Sequence, residues 1–581
     1  MGDYSVSDIY QGGYSSLTPK YGSVFGTYRV NPATFGMTTD PRTANIIQDA
    51  STKLNVGAKH IELSAVSPEV FESIPDQQLV EMKRLSKLTG VTVSVHGPIL
   101  EPSGMSKDGF SETNREAVER QMLSAVKRAH IVGPDGNIPV TFHSSVSIPD
   151  QITTKGKEPT ETYVINRDTG SLHRVPLKER TFPGESQKRD IKEEINKINE
   201  QQWNENLRQL QYRSEMGGEA IDKSMATNLL AEAEKKAGKP TTQTEEDMQF
   251  LFNRGTTYLN SSYNELKELF DTAYHNASDI EKGKIKGFYK EVEERAKQIK
   301  ANPKDMQNAP LMKDIIKRGV DFLDNEIAAP NLYTGLTDFS KEKTVETISN
   351  VAFSSFKEFK DKSPIISIEN PPVGSAFSRG EDLKDIVEKS RQKFVEKAIK
   401  EGMSEGKAKE AAEKLIGVTW DVGHINMMKK YGYENKDIIK ETEKIAPLLK
   451  HVHLSDNFGF EHTELPMGMG NVPMKEILDK LGQEGFDAKK IIEAGNWWQH
   501  FQTSPFKETL EAFGSPIYSM QMSPYWNQNL GLQQGYYSGY GSMLPQTNYA
   551  SFGSGFSGLP MELGGQNQGA DGSRMSGKGM E

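Results

Sequence analysis

Short apolar runs rich in strand-forming residues recur along this chain, and most are separated by stretches whose apolar positions fall at helical spacing. In order they are Ala33 to Met37, Ala58 to Ser64, Val91 to His96, Ile138 to His143, Ile365 to Glu369, Gly417 to Asp421, His451 to Leu454 and Lys490 to Glu493. Strand-like runs alternating with helical pattern mark repeated βα units and a parallel sheet. Eight of them predict an α/β fold of the (β/α)8 TIM barrel kind. The two segments that carry them, residues 30–146 and 362–514, together come close to the ~250 residues typical of such a barrel.

Residues 147–361 interrupt the unit that follows the fourth run and read as a large, mostly helical insertion. Thr162 to Asn166 and Leu172 to Val175 flank the turn-forming Asp168-Thr169-Gly170-Ser171 and predict a small hairpin near its start. Beyond Pro183, the residues Ile191, Ile195, Ile198, Trp203, Leu207 and Leu210 form an apolar stripe at helical spacing, read as packing core rather than a cofactor box. Further helices are predicted over residues 245–273, 279–301 and 311–327. An insertion at the carboxyl end of a barrel strand can cover the mouth, so a lid or substrate-selecting cap is expected. Residues 1–29 predict a flexible arm. Residues 515–581, rich in Gly, Ser, Gln, Asn and Tyr, predict a disordered tail that buries too little surface to offset its ordering entropy.

Composition narrows the chemistry. The chain has 581 residues, 35% hydrophobic and 26% charged, enough for a substantial core and too long for one small domain. No run approaches the ~18 apolar residues of a membrane span, and the N-terminal residues lack the layout of a secretory signal. A cytoplasmic protein without a membrane partner is therefore expected. The absence of cysteine rules out disulfides, thiolate metal sites and cysteine nucleophiles, so any metal must be held by imidazole and carboxylate. Seventy basic against eighty acidic residues, a net charge of −10, offer no general attraction to nucleic acid or anionic membrane. Oligomeric state is left open.

Catalytic groups of a βα barrel sit where strands give way to their following loops. The third run ends at His96, the fourth at His143, the fifth at Glu369 and the sixth at Asp421, with His424 in the loop beyond. The seventh delivers His453 and the eighth Glu493. Of eleven histidines in the chain, four occupy these positions, and His462 lies in the loop after the seventh run. Carboxylates and imidazoles converging without thiolates suit Zn, Mn, Fe or Mg, and a shared carboxylate can bridge ions about 3.5–4 Å apart. His451, two residues before His453, is expected deeper in the barrel, behind the ligands rather than among them. His130, His173, His275 and His500 read as ordinary surface or core histidines.

The motifs SVHGP, TFHSS, SIEN, TWDVGH, HVHLSDN, ELPMGMGNV and IIEAGN, in this order on these strands, resemble the xylose-isomerase-like barrel superfamily (AP endonuclease family 2). Within it the site pattern looks nearest to endonuclease IV. The resemblance covers the barrel segments and neither insertion nor tail. It implies a metal quartet of Glu369, Asp421, His453 and Glu493, and a second metal set of His96, His143 and Glu369. A third set would use His424 with His462 and Glu464, where acid and imidazole stand in exchanged order relative to the family pattern. A DNA-wedging aromatic of that family falls at Ile99, which cannot stack as a tyrosine would. Acidic residues also outnumber basic ones in the barrel segments. Lys188, Arg189, Lys192 and Lys197 of the insertion are the candidates for a basic surface, read as a solvated helix face.

Three readings follow. The first is a metal-dependent phosphodiester hydrolase resembling endonuclease IV, with two or three Zn ions, Glu369 and Glu493 as catalytic carboxylates, and DNA with an abasic site as the expected partner. The second is a sugar isomerase or epimerase with one Mn or Mg ion and a small sugar substrate, in which Glu369 and Glu493 shuttle a proton. The third is a non-enzymatic barrel scaffold whose insertion and tail mediate assembly.

Overall fold

The computed structural model describes residues 35–64, 67–150, 153–177, 190–238, 242–301, 308–495, 497 and 504–513. The expected arm and tail, together with Lys188, Arg189 and His500, lie outside the described residues. Eight parallel strands close into a barrel: β1 (Phe35–Thr38), β2 (His60–Ser64), β3 (Thr92–His96), β4 (Pro139–His143), β5 (Ile365–Glu369), β6 (Ile416–Asp421), β7 (Leu449–Leu454) and β8 (Lys490–Ile492). Each pairs with its neighbours in chain order. Pairing of β8 with β1, with Lys490 opposite Phe35, closes the sheet and leaves it no edge.

Alternation along each strand decides which side chains enter the barrel. Phe142, Ile368, Val418 and Trp420 are wholly or almost wholly buried on the outward face. Trp420 Nε1 donates to Thr442 Oγ1 at 3.2 Å, on the helix Asn435–Ile445. The inward layer is polar instead. Glu62, Ser94, Thr141, Ser367, Thr419 and His451 are all fully buried. Barrels of this kind ordinarily fill the interior with Val, Ile and Leu. Here hydroxyls satisfy one another: Thr419 Oγ1 donates to Ser367 Oγ at 2.7 Å and lies 3.0 Å from Thr141 Oγ1. Most of these residues stand two positions ahead of a strand-end histidine or carboxylate, so the polar layer lies directly beneath the barrel mouth.

The interruption after β4 is smaller than the 147–361 read from sequence. Thr160–Leu336 form one compact unit, while the described residues up to Pro159 and from Thr337 onward belong with the barrel. The reason is the helix Leu336–Phe359, whose buried Phe339, Val345, Ile348, Val351, Ala352 and Phe356 recur at helical spacing. A parallel β4–β5 connection needs a covering helix, and this one supplies it.

The inserted unit begins with strands Glu161–Asn166 and Leu172–Pro176, joined through a turn in which Asn166 Oδ1 accepts from Asp168 N and Thr169 N, both at 3.0 Å. A third strand, Tyr333–Gly335, pairs on the other side and was not foreseen. Four helices follow the hairpin, Ile191–Lys236, Thr242–Asn276, Asp279–Ala301 and Asn308–Asn325. Trp203, Leu207 and Leu210 pack in their shared core against Leu259, Leu266, Phe270 and Ile316. Lys192 is exposed on the first of these helices and Lys197 half-buried. Among the described residues no helix is long and apolar enough to cross a membrane.

Candidate metal centre

The barrel register brings the strand-end residues together. Glu369 at the end of β5 is the register partner of His143 at the end of β4, and Asp421 of β6 is the partner of His453 of β7. Glu369 is the hub. Its Oε2 lies 3.1 Å from His96 Nε2 and 3.2 Å from His143 Nε2. Its other oxygen, Oε1, lies 2.8 Å from His453 Nδ1, which is also 3.2 Å from Glu493 Oε1. Glu493 follows β8 directly and keeps 17% of its side-chain exposure, so it lines the mouth, whereas Glu369 and Asp421 have none.

Local chemistry fixes these positions. Asp421 caps the short helix Val422–Asn426 by accepting from His424 N at 2.7 Å. Asn370 ties the ends of β5 and β6 together, donating to Asp421 O at 2.9 Å and accepting from Asp421 N at 2.8 Å. Gly423 is required beside it, because a Cβ there would collide with Ser455 Oγ. On the other side, Glu101 joins the loops that follow His96 and His143. Its Oε1 accepts from Ser103 Oγ at 2.6 Å, and its Oε2 accepts from Val146 N at 2.8 Å and Ser147 N at 3.0 Å.

The pocket concentrates negative charge in a dry environment. Burial penalises the charged form of His96, yet the Glu369 carboxylate beside it raises its pKa to about 9. His453 rises well above the imidazole range against the same burial penalty, drawn by Glu369, Glu493 and Glu62. Glu369, despite burial, is held well below the carboxylate range by His453 and His143. Asp421 goes the other way, since burial and then the charges of Glu493 and Glu369 push it far up. Without a cation, protons do the neutralising.

A divalent ion fits these residues. The ligand atoms of Glu369, Asp421, His453 and Glu493 lie within 4.8 Å of one another, and so do those of His96, His143 and Glu369. Asp421 Oδ2 is buried with no hydrogen-bond partner among the described residues. His96 Nδ1 meets Gly97 O at 2.8 Å; only a protonated Nδ1 can donate there, which leaves the Nε2 lone pair pointing at Glu369 unless a second proton is bound. The donor set is oxygen and imidazole nitrogen throughout, as hard or borderline cations prefer.

The third set is less complete. His424 Nδ1 meets Asn370 O at 2.7 Å, so its Nε2 carries the lone pair, 2.8 Å from His462 Nε2. Burial and then the neighbouring His462 depress the His424 pKa well below the imidazole range. Glu464 Oε1 is 3.8 Å from His462 Nε2, while its Oε2 accepts from Gly495 N at 3.2 Å. Burial and the charge of Glu493 raise Glu464 to about 7. Among the described residues, His424, His462 and Glu464 do not close to the spacing of the other sets. His462 turns to His424, while Glu464 is engaged by the backbone of Gly495.

Sequence reasoning passed over Glu62. This fully buried carboxylate of β2 lies 3.1 Å from both His451 Nε2 and His453 Nε2. Its signal was available: an acid within the apolar run Ala58 to Ser64, at the parity that faces the barrel interior. The remaining histidines serve elsewhere. His130 stacks on Phe359 at 3.9 Å, His173 meets Tyr333 edge-on, and His275 Nδ1 meets Asp271 O at 2.7 Å. Ile99 lies half-buried in the loop after β3.

Residues 401–513 match a family model described as a xylose isomerase-like TIM barrel. That range holds Asp421, His424, His453, His462, Glu464 and Glu493, and excludes His96, His143 and Glu369. A stretch of 88 residues is 32% identical to an uncharacterized protein of Methanocaldococcus jannaschii, covering 15% of this chain and 29% of that relative. The chain thus matches under a third of the relative's length. A solved D-tagatose 3-epimerase-like protein aligns over 84% of this chain and 99% of its own, at 14% identity and a TM-score of 0.35, too low to bear on function.

Proposed function

From the premise that the chain carries a xylose isomerase-like TIM barrel, we propose that it is a metal-dependent phosphodiester hydrolase of the endonuclease IV type. One observation carries the reading: the two oxygens of Glu369 are claimed by different partners, His96 and His143 on Oε2 and His453 on Oε1. A carboxylate divided in this way suits a bridge between two cation sites. His96, His143 and Glu369 would hold one ion, and Glu369, Asp421, His453 and Glu493 the other, with zinc the expected metal. Bound there, divalent cations supply Lewis acidity, lowering the pKa of water and offsetting charge that builds on phosphorus oxygens. Glu493, the most open of the quartet, would accept the proton of the attacking water.

A second reading is supported by the quartet alone. Glu369 and Glu493 flank His453 on one side of the pocket, an arrangement in which one carboxylate can move a proton along a small sugar while a single ion polarises it. It leaves His96 and His143 without a role. Metal analysis of the purified chain, paired with cleavage of an abasic-site oligonucleotide before and after chelation, separates the two. Two or more ions and chelator-sensitive cleavage are expected. One ion with no cleavage would sink the hydrolase and leave the isomerase.

A further inference from the structure

We infer that Glu62 is a positioning residue for His453, a carboxylate behind the imidazole that fixes its orientation and presents Nδ1 to the cation. The inference rests on the reading of the mouth as a metal centre. Alternation along β2 carries Glu62 into the barrel interior, one layer below the strand ends, where it is fully buried. Its Oε1 stands 3.1 Å from His453 Nε2, within ion-pair distance, and neither atom has a hydrogen-bond partner among the described residues. The two buried, unbonded atoms are therefore neighbours of opposite charge type. On the opposite edge of the same ring, Nδ1 faces Glu369 Oε1 and Glu493 Oε1 at 2.8 and 3.2 Å. An imidazole flanked in this way keeps its proton on the nitrogen that meets the rear carboxylate, which turns the lone pair of the other toward a metal and makes it more basic.

Glu62 is itself held in place. Its Oε2 accepts from Ser94 Oγ at 2.7 Å and lies 3.1 Å from His451 Nε2. Ser94 Oγ is 3.0 Å from His60 Nε2, whose Nδ1 is 2.6 Å from Thr92 Oγ1. Of these residues only His453 reaches the strand-end carboxylates, so the rest serve to clamp Glu62. A buried carboxylate is costly unless it is paired. Its retention beneath the mouth, where barrels otherwise place aliphatic side chains, is accounted for by the ring it orients.

The test is zinc affinity of the full chain, measured by competition with a chromophoric chelator, for the unsubstituted protein, Glu62→Gln, Ser94→Ala and the direct-ligand control Glu493→Gln. Glu62→Gln should bind zinc about ten- to a hundredfold more weakly, with the barrel's circular dichroism unchanged. Ser94→Ala, which loosens the clamp without touching the carboxylate, should weaken it on the order of threefold, and it carries the test if Glu62→Gln fails to fold. Nitrogen-15 NMR of the zinc form should show His453 protonated at Nε2. Zinc affinities of both variants within twofold of the unsubstituted chain would overturn the inference while leaving the metal centre standing. No zinc binding by the unsubstituted chain, with Glu493→Gln indistinguishable from it, would overturn both.

Discussion

Raising the pH of the metal-free protein should destabilise its barrel, and restoring the metal should suppress the effect. Against the cost of burial, His96 is lifted from its ordinary 6.5 to about 9 by the carboxylate of Glu369, 3.1 Å away. A group with a folded pKa above its unfolded one takes up a proton on folding. Its contribution is complete below about 6.5 and disappears as the pH rises through 9. At roughly 1.4 kcal/mol per unit this amounts to about 3 kcal/mol from His96. His453, Asp421 and Glu464 are also raised and act in the same direction, the last being spent by about 7. Lys429, lowered to about 8 by burial, opposes them above pH 8, so the His96 share is read as the difference from His96→Gln. At ~2–4 °C per kcal/mol, the barrel transition should fall by roughly 6–12 °C. Scanning calorimetry of the chelated chain at pH 6.5, 8 and 9.5, with and without zinc and alongside His96→Gln, measures it. Zinc should flatten the profile, because a bound cation takes over from the protons. A flat profile in the chelated chain, or an equal slope in His96→Gln, refutes the electrostatic account.

Four further outcomes are expected. His143→Ala removes a nitrogen 3.2 Å from Glu369 Oε2 and should lower metal content by one ion per chain and abolish phosphodiester cleavage, read by elemental analysis and gel assay; an isomerase would only be weakened. Gly97→Ala places a Cβ against the ring of Phe142 and should cost about 1–3 kcal/mol by overpacking, visible in urea denaturation, and reduce metal affinity through the adjacent His96. Trp203→Ala should cost ~3–5 kcal/mol in the helical unit, where the ring is 2% exposed, measured as a lower transition of that unit. Deletion of residues 515–581 should leave metal content and turnover unchanged, read by elemental analysis and gel assay; a full chain on whose behaviour chelators have no effect while the deletion does would favour the scaffold reading.

The barrel was legible because each strand is a short apolar run bounded by helical pattern, and because its strand-end residues are rare types that recur in one structural position. His96, His143, Glu369, Asp421 and His453 needed only the rule that strand ends share a mouth. The extent of the insertion was not legible. The helix Leu336–Phe359 has the same charged, amphipathic character as the helices before it, and only packing reveals that it covers the barrel. The strand Tyr333–Gly335 is three residues long, too short for a periodic signal, and is recruited when Asn199 donates to Tyr333 O at 2.8 Å and accepts from Tyr333 N at 2.7 Å. Glu62 escaped for a different reason: an acid inside a strand ordinarily faces solvent, and its inward placement depends on closure of the barrel.

Charge ties ion number to substrate class. Glu62, Glu369, Asp421 and Glu493 put four carboxylates into one buried pocket, and the protons that offset them in the metal-free chain are displaced when imidazoles ligate. With one divalent ion the pocket stays net negative, which repels a phosphodiester but tolerates a neutral sugar. Two ions bring it to neutrality, and a third turns it positive, so that a phosphodiester anion can enter without a basic surface around the mouth. The surplus of acidic residues in the barrel is therefore no obstacle to a hydrolase that carries His96 and His143 in addition to the quartet, because those two residues make the second ion, and hence a neutral pocket, possible.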